Sequence, residues 1–172
     1  MSFMGTVLLS SPHEAFSAGF YRDPEFDFAV RGLLGHAPSG ATEPGEVLAT
    51  ITQVRDGDWG AWHSAWLTLG SRLLTLAEEL RDAGRFDSAS GTYLRAASYL
   101  SVAVDSAPDD DTRLATFRQH RAAWDGFIDT TVYAAERVDI AYEGTTLPGY
   151  LIRPSDDDEP RPGRRCAHTV AL

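Results

Sequence analysis

Acyl transfer needs a nucleophile on a strained strand-to-helix turn, a base within hydrogen-bond reach and two donors for the developing oxyanion. The stretch nearest to the nucleophile pattern G-x-S-x-G is Ala15-Phe16-Ser17-Ala18-Gly19. Pro12-His13-Glu14 precedes it, where the pattern requires a buried strand. Ser17 therefore reads as a loop serine, and no catalytic residue is assigned. The five histidines, His13, His36, His63, His120 and His168, show neither i, i+4 pairing nor H-E-x-x-H spacing. His63 lies among tryptophans and reads as a hydrogen-bonded structural histidine. Asp56-Gly57-Asp58 begins like a calcium loop, but Ala61 takes the glycine position and Leu67 the bidentate glutamate position. No metal site is predicted.

Composition closes off further chemistries. All 15 basic residues are arginine, so the chain has no phosphate-loop lysine and no amine for a Schiff base, and no cofactor is expected. Cys166 is the single cysteine, which excludes an intrachain disulfide or a thiolate cluster. With 25 acidic residues, a net charge of −10 and a pI near 4.8, the mean field repels phosphate, arguing against nucleic acid and anionic membranes as partners. No apolar run nears the roughly 20 residues that span a bilayer. Met1 to Ser11 carries no positive charge ahead of Thr6-Val7-Leu8-Leu9, which argues against a signal peptide and for a cytoplasmic protein.

Four stretches organise the 172 residues. Residues 1–57 form an opening segment with short helices: one from Glu25 to Leu34 after Pro24, and one capped by Thr42, running through Val47, Leu48, Ile51 and Val54 and stopping at Asp56-Gly57. Residues 58–135 are helical. Trp59, Trp62, Trp66, Leu69, Leu73, Leu76 and Leu80 share one helical face, and Gly84 is placed to stop that helix. Phe86, Ala89, Tyr93, Ala96, Leu100 and Val104 mark a second helix. Asp109-Asp110-Asp111 suits the start of a third, carrying Leu114, Phe117, Arg121, Trp124 and Ile128. At Glu136 the period drops to two, and residues 136–154 read as a β-hairpin turning at Glu143-Gly144-Thr145-Thr146. Val138, Ile140, Tyr142, Tyr150 and Ile152 then need cover. Residues 155–172 read as a flexible acidic and Arg/Pro-rich tail. The fold class is mainly α, a bundle-like helical body followed by a C-terminal hairpin.

Taken together, Trp62 to Trp66, Gly84 with Ser88-Ala89, Tyr93-Leu94-Arg95-Ala96 with Tyr99, and Tyr142-Glu143-Gly144-Thr145 with Leu147-Pro148-Gly149-Tyr150 resemble one group of α/β-hydrolases. This group sets a helical cap in front of the hydrolase sheet and includes esterase-like, dipeptidyl-peptidase-like and pseudooxynicotine-hydrolase-like enzymes. The resemblance covers roughly Asp58 to Pro154. It implies that the hairpin opens an α/β-hydrolase sheet and that the oxyanion loop, nucleophile elbow and triad come later. Cys166 to Leu172 stands where the next strand would run, so the sequence is expected to be a truncated or frame-shifted hydrolase, inactive alone. The resemblance further implies a small-molecule acyl substrate for the full-length parent, with hydrolysis of an ester, amide or carbon–carbon bond. The helix bearing Tyr93, Arg95 and Tyr99 would help line its cavity. Arg95 also carries a physical expectation, since a guanidinium among Ala96, Ala97 and Ser98 needs a carboxylate partner or a cleft.

A second reading is a tetratricopeptide-like interaction module, because Trp66-Leu67-Thr68-Leu69-Gly70 fits the W-x-x-L-G opening of that repeat. Leu73 replaces the repeat's tyrosine, no second copy follows, and a hairpin has no place in such a stack. A helical segment from Val138 to Tyr142 would favour this reading. The open hairpin edge is expected to promote self-association.

Overall fold

The computed structural model describes residues 18–153, in two units divided between Thr131 and Val132. Ser17, His13, His168, Cys166 and the 155–172 tail lie outside the described residues.

In the first unit, α1 spans Pro24–Gly35. The Asp23 carboxylate caps it by accepting from the amides of Glu25 (2.9 Å) and Phe26 (3.3 Å), and Pro24 supplies the preset φ of the first helical position. A 3-10 turn over Ala37–Ser39 leads to α2, Pro44–Ile51. The cap of α2 is Glu43 rather than the expected Thr42, its carboxylate accepting the Glu46 amide at 2.7 Å. Thr42 is instead buried, and its hydroxyl donates to the Leu33 carbonyl at the end of α1, which also accepts the His36 amide at 3.1 Å. α2 ends at Ile51, short of the expected Asp56, and the chain turns so that Val54 still reaches the core.

Three long helices follow: α3 (Trp59–Asp82), α4 (Phe86–Asp105) and α5 (Asp110–Thr130). Gly84, at φ 73°, ends α3 in a Schellman motif, the Arg85 amide reaching the Leu80 carbonyl and the Gly84 amide that of Arg81 (both 2.9 Å). α4 is packed on both sides, and a glycine permits each contact. A Cβ on Gly70 of α3 would sit 2.6 Å from Leu100 Cγ, and one on Gly126 of α5 would sit 2.5 Å from the Tyr93 ring. Both helices therefore approach α4 more closely than any larger residue allows.

Of the tryptophan stripe, Trp62 and Trp66 are core. Trp62 stacks on Phe26 of α1 at 4.1 Å, meets Trp66 edge-on at 5.4 Å, and Trp66 stacks on Tyr99 of α4 at 5.6 Å. This chain of rings joins α1, α3 and α4 in one cluster with Val30, Leu33 and Val47. Details of the expected faces shift. Ala77 is fully buried where Leu76 was expected, while Leu76 and Trp59 are about two-fifths exposed (40% and 42%). Ala103 takes the place of Val104, and Phe86 is exposed. On α5 the buried residues are Thr116, Ala123, Gly126, Phe127, Thr130 and the expected Ile128, while Leu114 faces solvent. Thr116 and Thr130 tolerate burial because their hydroxyls donate to the carbonyls of Thr112 (2.9 Å) and Gly126 (2.7 Å).

The second unit is an antiparallel hairpin of β1 (Ala134–Tyr142) and β2 (Thr145–Arg153). Glu143 (φ 41°) and Gly144 (φ 84°) form a two-residue turn with both central φ positive, the pattern that matches strand twist. Residues 138–142 are thus strand, which removes the support for a tetratricopeptide stack. Partners Val138↔Gly149 and Ile140↔Leu147 set Val138, Ile140, Tyr142, Leu147 and Leu151 on one face. Tyr150 and Ile152, which sequence had grouped with the first three, occupy the opposite face.

Candidate functional site

Within the helical unit, α2 and α3 diverge around a groove of about 700 Å³. α2 and its cap contribute Glu43, Glu46 and Gln53; α3 contributes Ser64, Thr68 and Arg72; the small residues Gly45, Ala49, Ala61 and Ala65 keep it open. The Ser64 and Thr68 hydroxyls donate back to the carbonyls of Gly60 (2.9 Å) and Ser64 (2.7 Å), so their oxygens are left as acceptors.

Two of the three residues singled out in sequence, though not part of the groove's lining, meet one of its carboxylates, Glu46. Tyr99, fully buried on α4, donates from its hydroxyl to Glu46 Oε2 at 2.9 Å and accepts the Glu43 amide at 2.9 Å. Arg95, one turn earlier on α4, brings Nε to 3.3 Å from the same Oε2. That contact is an ion pair without the alignment of a hydrogen bond, since the buried Nε has no hydrogen-bond partner among the described residues. Arg95 thus has the carboxylate its burial demands. Burial, with the Glu46 carboxylate beside it, pushes the Tyr99 phenol well above its ordinary pKa, so it stays a neutral donor. The amides of Gly45 and Glu46 hold the Glu43 carboxyl below the ordinary range, keeping that side of the groove anionic.

Tyr93 lies elsewhere. It is buried against Gly126 on the α5 side of α4, and its hydroxyl makes no hydrogen bond among the described residues. Burial raises its pKa, with Arg81 opposing. Glu46 is not among the residues singled out in sequence; its convergence with Arg95 and Tyr99 joins positions 53 residues apart in chain for the tyrosine, a pairing no local pattern announces.

Neither histidine in the helical core is poised as a base toward a serine. His63 Nδ1 lies 2.8 Å from the Ala103 carbonyl and His120 Nδ1 lies 3.0 Å from that of Ala97, so each Nδ1 carries the proton and donates it to backbone. The described serine hydroxyl bonds go to backbone carbonyls, as from Ser98 and Ser106, or to Gln119, from Ser71 (2.7 Å). Among the described residues no group of three histidine, cysteine or carboxylate side chains could hold a metal, and no helix is long and apolar enough to cross a membrane. The charged groups of the groove are Arg72, Glu43 and Glu46.

The described chain is therefore a mainly α body with an antiparallel C-terminal hairpin and a polar groove set between helices. In sequence it is a relative of the α/β-hydrolases, and it spans about a third of the length of the curated relatives it matches. It is 36% identical over 143 residues to Hydrolase acrC of Aspergillus aculeatus, covering 78% of this chain and 33% of that protein. It is 33% identical over 147 residues to Hydrolase LUC6 of a Fusarium species, covering 83% of this chain and 34% of the relative. Alpha/beta hydrolase xenA of Xenoacremonium sinensis is 33% identical over 138 residues, covering 75% of this chain and 31% of the relative. No family model matches the chain.

Proposed function

We propose that this chain is the helical cap and opening strands of an α/β-hydrolase, acting on an ester, amide or carbon–carbon bond in the full-length parent, and that the polypeptide alone does not catalyse. The observation that carries the proposal is the coverage: the kinship extends over 78% of this chain but 33% of Hydrolase acrC, leaving most of a hydrolase outside it. The chemistry agrees. Acyl-enzyme formation needs a serine and an imidazole in mutual contact, and among the described residues no serine hydroxyl hydrogen-bonds to the imidazole of His63 or His120.

In this reading the groove beside Glu46 contributes to recognition of a small acyl substrate, with Arg95 and Tyr99 positioning the carboxylate and Tyr93 fixing α4 from its other side. Activated acyl esters of several chain lengths, offered to the purified chain, test it. The expected result is release no faster than in buffer. Turnover abolished by Ser17→Ala would overturn it.

A further inference from the structure

The hairpin's two outer edges differ chemically. Because a two-residue turn makes Tyr142 and Thr145 a hydrogen-bonded pair, the pairs Ile140–Leu147, Val138–Gly149 and Glu136–Leu151 are hydrogen-bonded too. The residues between them turn their backbone groups outward. On β2 that set includes Pro148, whose missing N–H interrupts the outer edge and explains why a proline is accepted in mid-strand. On β1 the outward set is Ala135, Arg137, Asp139 and Ala141, with no proline. Among the described residues β1 has one strand neighbour, β2.

We propose that β1 pairs with β1 of a second copy of this chain, antiparallel about a two-fold axis at Val138. The register follows from charge. With the axis at Val138, Arg137 of each copy stands directly opposite Asp139 of the other, giving two cross-strand ion pairs, and Ala135 stands opposite Ala141. Moving the axis to Asp139 sets that carboxylate against its own copy, and moving it to Arg137 does the same with guanidinium groups; like charges directly opposite are destabilising. An axis through any residue keeps the outward backbone groups in register, and of Arg137, Val138 and Asp139 at the middle of the strand it is Val138 that sets opposite charges against each other. The same pairing sets Val138 against Val138 and extends the exposed apolar face of Ile140, Tyr142, Leu147 and Leu151 across a four-stranded sheet, past the three strands at which a sheet with an apolar face becomes independently stable. The inference stands apart from the hydrolase reading, because it rests on the hairpin alone.

Two measurements on the full chain test it. By sedimentation equilibrium, the wild type is expected to be a dimer that dissociates on dilution, with Arg137→Asp and Asp139→Arg each weakening association at least tenfold and the double exchange Arg137→Asp/Asp139→Arg restoring it. In a Cys166→Ser background, Val138→Cys is expected to form an intermolecular disulfide on mild oxidation, since the residues of a non-hydrogen-bonded antiparallel pair lie within disulfide range, whereas Glu136→Cys is expected not to. A monomer at every concentration would overturn the proposal. So would a dimer indifferent to both single charge reversals, a double exchange that fails to restore association, or crosslinking by Glu136→Cys as readily as by Val138→Cys. Circular dichroism spectra matching wild type establish that each variant has folded.

Discussion

Tyr99 and Glu46 hold α4 to α2 through one hydrogen bond of 2.9 Å, and the same phenol oxygen receives the Glu43 amide at 2.9 Å. One buried side chain thus satisfies an orphan donor at the start of α2 and fixes the carboxylate that Arg95 approaches at 3.3 Å. The groove's charged face and the helix-to-helix contact share a single support.

Tyr99→Phe keeps the ring stacked on Trp66 and removes only the hydroxyl. The Glu43 amide and the Glu46 carboxylate each lose a partner, and the expected loss is about 1–3 kcal/mol of unfolding free energy. Urea denaturation checks it, with an unchanged slope and a lower midpoint expected.

Glycine substitutions on α4 and α5 should separate close packing from backbone freedom. Gly126→Ala places a methyl 2.5 Å from the Tyr93 ring and is expected to cost about 1–3 kcal/mol. Gly91→Ala meets nothing within 4 Å in mid-helix and is expected to stabilise by about 0.5–1 kcal/mol. Thermal midpoints should move in opposite directions for the two variants.

These contacts show where sequence was readable. Helix positions followed from strong local signals: Pro24 behind Asp23, the Asp109 cap of α5, and Gly84 closing α3. The hairpin followed from its period and from Glu143-Gly144. Faces were harder wherever burial was decided by a neighbour rather than by hydrophobicity. α5 buries Thr116 and Thr130 because threonine can return its hydroxyl bond to its own helix, so a pattern read from apolar residues falls on Leu114 and Phe117, to either side of Thr116. Ala77 is buried for its small size, which hydropathy does not weigh. At the groove, Arg95's need for a carboxylate was legible from its small neighbours, whereas the identity of that carboxylate depended on how α2 packs across α4.

His63 should prove structural. Its Nδ1 proton serves the Ala103 carbonyl near the end of α4, one of the acceptors a helix terminus leaves open. His63→Leu leaves that buried oxygen with the Ser106 hydroxyl, at 3.4 Å, as its remaining side-chain donor among the described residues, and about 1–3 kcal/mol should be lost. His63→Asn, which retains a donor, should recover part of it; equal loss in both variants would assign the effect to packing instead.

Mild acid should weaken the helical body through His120. Burial lowers its pKa, assisted by Arg121 and opposed by the Ala97 carbonyl and by Asp105. A histidine with a folded pKa below its ordinary value near 6.5 favours the neutral form in the native state. Its contribution is therefore complete above about pH 6.5 and is lost as pH falls through the lowered folded value. Asp105 acts in the other sense: desolvation raises its pKa, so its contribution is present in acid and is lost as pH rises through that raised value. Urea midpoints taken from pH 7.5 down to pH 5 should fall for the wild type and stay nearly level for His120→Gln, which removes the titrating group while keeping a donor near the Ala97 carbonyl. An equal fall in both proteins would place the acid sensitivity on the carboxylates rather than on the imidazole.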